Sequence, residues 1–152
     1  LRNSFQIAGL ATLLATVIGM FAAYALARFD TGGKHLGFWL LSQRMMPPVV
    51  LVIPIFLIFR DLKWLDTHHG LIVLYTAFQL PYVVWMLRSY VRAVPHELEE
   101  SALVDGLGTW GVPLRITLPL ILPGLIATAT FAFIFSWTEF LFAVVLTRTN
   151  AY

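Results

Sequence analysis

The one charge within a long apolar stretch is Glu139, set in the run Ile116–Leu146 beside Trp137. A carboxylate at the centre of a bilayer costs roughly 2.5–3.5 kcal/mol on insertion scales, so such a residue faces a cavity, a partner or the headgroups. Two readings stand: Glu139, with Trp137, lines a translocation path or its outer gate, or it is an interfacial carboxylate. A membrane enzyme needs more at that depth, such as paired carboxylates, a Ser/His set or a metal cluster, and no catalytic residue is assigned. His68-His69 is a wet loop pair: adjacent side chains diverge, no Cys accompanies them, and helical metal-ligand spacing is absent. Gly32-Gly33-Lys34 has the look of a phosphate loop. The full pattern needs a glycine five residues before the Gly-Lys pair and Ser or Thr after it, where Arg28 and His35 stand. ATP is not expected to bind here, and no cofactor or metal is assigned. Trp64, Tyr75, Tyr82 and Trp85 are read as packing and interfacial aromatics.

The densest polar chemistry lies between Arg88 and Arg115. That stretch is longer than the roughly 2–8 residues that usually join neighbouring helices, and it has its own helix grammar. Pro95 suits a first helical position, where its missing N–H leaves nothing unpaired. Glu97, Glu99 and Glu100 follow where a helix dipole favours negative charge, and Gly106 is a stop signal. Leu98, Ala102 and the Leu103–Val104 pair fall roughly on one face by helical spacing, so that face is expected to pack. Asp105 is expected to cap the turn or the next short helix through its side chain. A second short piece, Thr109–Ile116, leads onward. A membrane-surface anchor would be rich in Lys and Arg on its polar face; this helix is acidic and better suits a basic surface on a protein partner.

Composition says what must hold these residues. Of 152 residues, 59% are hydrophobic and 12% charged, against about 45–50% and about 25% in soluble domains. So little charge cannot cover a water-facing surface, and lipid is the expected solvent. The net charge of +2 is too small and scattered for nucleic acid. Without cysteine there is no disulfide framework. A spanning helix takes about 20 mostly apolar residues. Uncharged runs occur at Asn3–Ala27, Met45–Phe59 and Leu71–Leu87, and Ile116–Leu146 carries only Glu139. The expectation is all-α: a polytopic bundle of about four spans, residues 1–152 forming a single transmembrane domain that is part of a longer chain. Leu36–Ser42 is expected along the membrane surface with Trp39 as anchor, and Pro47-Pro48 is expected to kink the second span. Gly9, Gly19, Ala22 and Ala23 are read as allowing close helix packing. Arg28, Lys34, Arg44, Arg88, Arg92 and Arg115 share one side, against Arg2, Arg60, Lys63 and Arg148 on the other. The basic bias marks the first side as cytoplasmic.

Glu100-Ser101-Ala102-Leu103-Val104-Asp105-Gly106 resembles the signature cytoplasmic loop of binding-protein-dependent ABC importer permeases, usually written E-A-A, three residues, then G. Arg115-Ile116-Thr117-Leu118-Pro119-Leu120 and Pro123-Gly124 continue the likeness. Arg44-Met45-Met46-Pro47-Pro48, Asp66-Thr67 with Gly70-Leu71-Ile72, and Trp137-Thr138-Glu139-Phe140-Leu141-Phe142 are similar to the sugar-importer, maltose-type branch. Ser101 replaces the usual alanine, Leu107-Gly108 stands where Ala-Ser is common, and Pro113 stands where many members have an aromatic. The resemblance implies a permease fold with a coupling loop at about 88–118. It also implies ATPase-coupling residues Glu97, Glu100, Ser101, Ala102, Asp105 and Gly106, and a sugar as solute. The implied partners are ATP-hydrolysing subunits that bind the ATP, a second permease subunit, a soluble solute-binding protein and the lipid of a bacterial inner membrane.

Overall fold

In a computed structural model of the chain, residues 1–29 and 35–147 are described. The Gly32-Gly33-Lys34 triplet and Arg148 lie outside the described residues. Every element among these residues is helical. Helix α1 spans Arg2–Arg28 and α4 spans His68–Ala93. At about 1.5 Å per residue, each exceeds the roughly 30 Å hydrocarbon core. The two pack along their length. Ala11, Ala15 and Ala23 of α1 have no exposed surface, and a Cβ added to Gly19 would lie 2.6 Å from Cγ1 of Val83. Small side chains let the backbones approach, and the dispersion contact this permits is what joins helices in lipid. Gly9, by contrast, has open space around its Cα.

Between them, α2 (Leu36–Ser42) runs through a 3₁₀ turn, Gln43–Met45, into α3 (Pro48–Asp61). The expected surface placement of residues 36–42 is corrected. Gly37 sits against Arg88 and Trp85 near one end of α4, and the Arg44 guanidinium lies 4.9 Å from the Tyr82 ring, halfway along it. The segment therefore descends beside α4. Together the two halves are long and apolar enough for a broken span or a re-entrant loop, bent by 86° where Pro47 takes an extended φ/ψ. The double proline is the cause: the residue before a proline is pushed out of the helical region. Arg44 accordingly lies at the depth of the spans rather than in a loop. Thr67 opens α4 by accepting a hydrogen bond from the Gly70 N–H, and His68-His69 forms its first turn, with His69 edge-on to Trp64.

After α4 comes α5 (His96–Val104), then a wide π-helical turn, Pro113–Thr117, leading into α6 (Leu118–Thr138). Pro119 has no N–H to give and its ring would meet the carbonyl four residues back; the widened turn accommodates both. A Cβ on Gly124 would fall 2.5 Å from the Tyr90 ring, so α6 lies close on α4. The long apolar run does not end as one helix. It stops at Thr138, and a short α7 (Leu141–Leu146) follows, correcting the reading of Ile116–Leu146 as a continuous span. Among the described residues three helical stretches are long and apolar enough to cross a membrane, or four when the bent pair is counted as one span.

Candidate functional site

Helix α5 presents two faces, and they are not the expected ones. Of the hydrophobic set Leu98, Ala102, Leu103 and Val104, only Ala102 is buried; Val104 is 87% exposed. The residue buried beside Ala102 is Glu99. Its partners explain why a carboxylate can face the bundle. Arg28 Nη2 donates to Glu99 Oε1 at 2.9 Å. Arg28 Nε lies 2.8 Å from Oε2, an ion-pair contact too oblique for a hydrogen bond. Thr117 Oγ1 donates to Oε1 at 2.6 Å and the Tyr24 hydroxyl to Oε2 at 3.4 Å. Arg28 Nη2 also donates to the Val94 carbonyl at 3.0 Å, at the junction of α4 and α5. Both side chains of the pair are 6% exposed. Leaving such a charge buried without its partner costs about 3–5 kcal/mol.

The other face points outward. Glu97, Glu100, Ser101 and Val104 are exposed and fall at helical spacing on one side. Pro95 is the residue before the helix rather than its first member, a shift of one position. Asp105 and Gly106 close the helix. Gly106 has φ +90°, its N–H donates to Leu103 O at 3.1 Å, and the Leu107 N–H donates to Ala102 O at 2.9 Å. That pair of bonds around a left-handed residue is a Schellman cap, and glycine takes the position because a Cβ would be strained there. Asp105 contributes its backbone N–H, to Ser101 O at 2.9 Å. Its exposed side chain makes no hydrogen bond among the described residues, so the expected side-chain cap is not formed.

A second group of polar residues lies toward the opposite end. Glu139 occupies the joint between α6 and α7. Its Oε1 accepts from the N–H groups of Leu141 (2.9 Å) and Phe142 (3.3 Å), and the Tyr75 hydroxyl donates to its carbonyl at 3.3 Å. The carboxylate thus supplies the cap that starts α7. Its Oε2 takes no hydrogen bond among the described residues. Glu139 also lines a cavity of about 170 Å³ with Arg44, Tyr75, Gln79, Phe135 and Ser136. Gln79 donates to Ser136 inside it, and Arg44 stacks 4.2 Å from the Phe135 ring centroid. Trp137 is not part of that lining. It stacks on Phe133 at 5.8 Å and meets Phe5 edge-on at 6.4 Å; it shares a second recess with Glu139 and Phe140.

Sequence reasoning missed Glu99, Arg28 and Thr117 as one group, and missed Arg44, Gln79 and Ser136 as cavity residues. Gln79 and Ser136 left a faint signal, as amide and hydroxyl within apolar runs. Glu99 left none that separated it from Glu97 and Glu100. No cluster of three or more His, Asp or Glu with metal-binding proximity occurs among the described residues.

A bundle of membrane-length helices, with a polar loop helix clamped at one end and a carboxylate-lined cavity toward the other, defines a multi-pass membrane protein. Residues 15–151 match the model of the binding-protein-dependent transport system inner membrane component, and the chain belongs to that family. A putative ABC transporter permease protein of Streptomyces antibioticus is 42% identical over 97% of this chain and 65% of its own length. The trehalose transport system permease protein of Mycobacterium tuberculosis is 40% identical over 99% of this chain and 56% of its own. The diacetylchitobiose uptake system permease protein of Streptomyces coelicolor is 37% identical over 95% and 48%. The chain therefore spans about half to two-thirds of the length of these relatives. A bacterial ABC transporter involved in import of the acidic polysaccharide alginate superposes with TM-score 0.80 at 23% identity, over 99% of this chain and 52% of that one. This likeness shows the fold.

Proposed function

We propose that this chain is the core of the permease subunit of an ATP-driven importer, forming part of the solute path and coupling it to a separate ATPase. The observation that carries the reading is the build of α5. One face is clamped to the bundle through Glu99, and the other offers Glu97, Glu100 and Ser101 outward, with the Gly106 cap fixing where the chain turns next. An exposed acidic helix end suits a basic cleft on a soluble partner; as a charge-assisted contact, Glu100 contributes about 1.5–3 kcal/mol. Ala102 and Asp105 serve the same loop, Ala102 by letting α5 lie close and Asp105 by ending the helix. The chemistry of ATP hydrolysis belongs to that partner, and this chain has no enzymatic role of its own. Its further partners are a second permease subunit, a soluble solute-binding protein and the surrounding lipid, with no nucleic acid.

The solute path passes the Glu139 cavity, where an amide, a hydroxyl, a carboxylate and aromatic rings converge. That mixture hydrogen-bonds hydroxyl groups and stacks on sugar rings, and the relatives named for trehalose and diacetylchitobiose support a sugar or oligosaccharide as solute. Trp137 stands next to the path on the same helix. The test uses the full-length subunit assembled with its partners in proteoliposomes. ATP-dependent uptake is measured with labelled mono-, di- and oligosaccharides, amino acids and phosphate. Uptake of a saccharide and co-purification of an ATPase are the expected results. Uptake confined to amino acids or phosphate would replace the sugar reading, and absence of any ATPase would remove the importer reading.

A further inference from the structure

Two adjacent glutamates of α5 have opposite surroundings, and the difference bears on how movement enters the membrane. Only Glu99 and Ala102 of the nine residues in α5 are buried. Leu98 and Leu103 are about half covered, and the side-chain hydrogen bonds that tie this helix to others among the described residues all end on one carboxylate. That carboxylate is met from separate directions: by Arg28 and Tyr24 of α1, and by Thr117 of the turn that becomes α6. The same guanidinium fastens the end of α4 through the Val94 carbonyl.

We propose that Glu99 is the positioning residue through which displacement of α5 reaches α1 and α6, while Glu100 meets the ATPase. The inference rests on the importer reading and assigns its transmission step. A link passes displacement on only if it is stiff and cannot exchange partners with water. An exposed ion pair fails on both counts. The side chains of the Arg28–Glu99 pair are 6% exposed, and the guanidinium meets the carboxylate through one hydrogen bond and one close ion-pair contact, while Thr117 and Tyr24 donate to it from other directions; together these contacts restrict its orientation as well as its distance. Burial also makes such a pair a poor net stabiliser compared with apolar side chains of the same volume. Its value lies in geometry. Thr117 has no exposed surface and sits in the widened turn before α6, so a shift of Glu99 toward or away from the bundle moves the start of that span with it.

The experiment uses the full-length subunit in the assembled transporter, with Glu99→Gln, Arg28→Gln, the pair Arg28→Gln/Glu99→Gln, the exchange Arg28→Glu/Glu99→Arg, and Glu100→Gln for comparison. Three quantities are read: ATPase retained in pull-down, ATP hydrolysis with and without loaded binding protein, and solute uptake. Glu99→Gln is expected to keep the ATPase bound yet lower uptake at least tenfold and abolish stimulation by the loaded binding protein. Glu100→Gln is expected to weaken the pull-down itself. Recovery of stimulation in the exchanged pair would show that the link, not one side chain, is what matters. Wild-type uptake in Glu99→Gln overturns the proposal, as does loss of the ATPase from it, which would put Glu99 on the docking face. Should Glu99→Gln fail to accumulate, the neutral pair decides: normal coupling there, or failure of that variant to accumulate as well, makes the pair a structural feature only and overturns the proposal. Bound ATPase without stimulation supports it. These failures differ from failure of the importer reading, in which wild-type protein itself neither binds an ATPase nor takes up solute.

Discussion

Glu99 and Glu139 are carboxylates at opposite ends of the bundle, the first buried and the second half-buried, and their charges are met differently. Glu99 is neutralised by a guanidinium and two hydroxyls contributed by other segments. Glu139 is satisfied within its own stretch of chain, by the first N–H groups of α7, and keeps Oε2 without a hydrogen bond among the described residues. The first arrangement welds α1, α5 and the start of α6 together. The second breaks a helix and leaves a charged oxygen at a cavity edge. One end is tied together as a unit, and the other presents a charge.

The sharpest way to break this contrast is at the clamped end. Gly106→Val places a β-branched residue at φ +90°, a strain of about 1–2 kcal/mol before any clash, and misdirects the chain after α5. We expect insertion into the membrane to persist while uptake falls to background, and Glu100→Lys to do the same through charge reversal on the exposed acidic face proposed to dock the ATPase. Normal uptake in both variants at normal expression would sink the coupling assignment. At the other end the effects are smaller. Glu139→Gln keeps a cap on α7 but removes the charge, and is expected to change solute affinity or transport rate by about ten- to a hundredfold, the range of one hydrogen bond to a charged group. Glu139→Ala additionally loses the cap, worth about 0.5–2 kcal/mol, and should lower the melting temperature of the purified protein. A silent Glu139→Gln removes the residue from the solute path.

Between the two ends, the α1–α4 contact separates glycines that look alike in sequence. Gly19→Val must push against Val83 and is expected to destabilise by about 1–3 kcal/mol. Gly9→Val meets open space and should be close to neutral; thermal unfolding in detergent measures both. The gentlest perturbation reads sidedness. Cysteine at exposed Thr109 should resist an impermeant thiol reagent applied outside intact cells, and cysteine at exposed Asp61 should react. Reversed labelling would invert the clamped and cavity ends.

Much of the fold was legible because lipid imposes a simple rule. Backbone groups must be paired within each helix, so uncharged runs of sufficient length at Asn3–Ala27 and Leu71–Leu87 announced α1 and α4. The loop helix, its acidic start and its glycine stop were equally readable, since caps and turns are local events. The descent of α2 beside α4 was not, because a short apolar helix suits the membrane surface and the bundle flank alike. Nor was the break at Glu139: a carboxylate in an apolar run can be a lone charge on a helix or the cap of a new one, and only the N–H groups of Leu141 and Phe142 decide.

The amino-acid sequence alone determined the class of protein, the existence of α5 and the position of its end, because hydropathy, helix capping and left-handed glycine depend on neighbours within a few residues. It could not say which of Glu97, Glu99 and Glu100 turns inward. That choice depends on Arg28, 71 residues away, and Thr117, 18 residues away. Glu99 faces the bundle because a guanidinium and hydroxyls from other segments replace its water there, and tertiary packing alone brings them together.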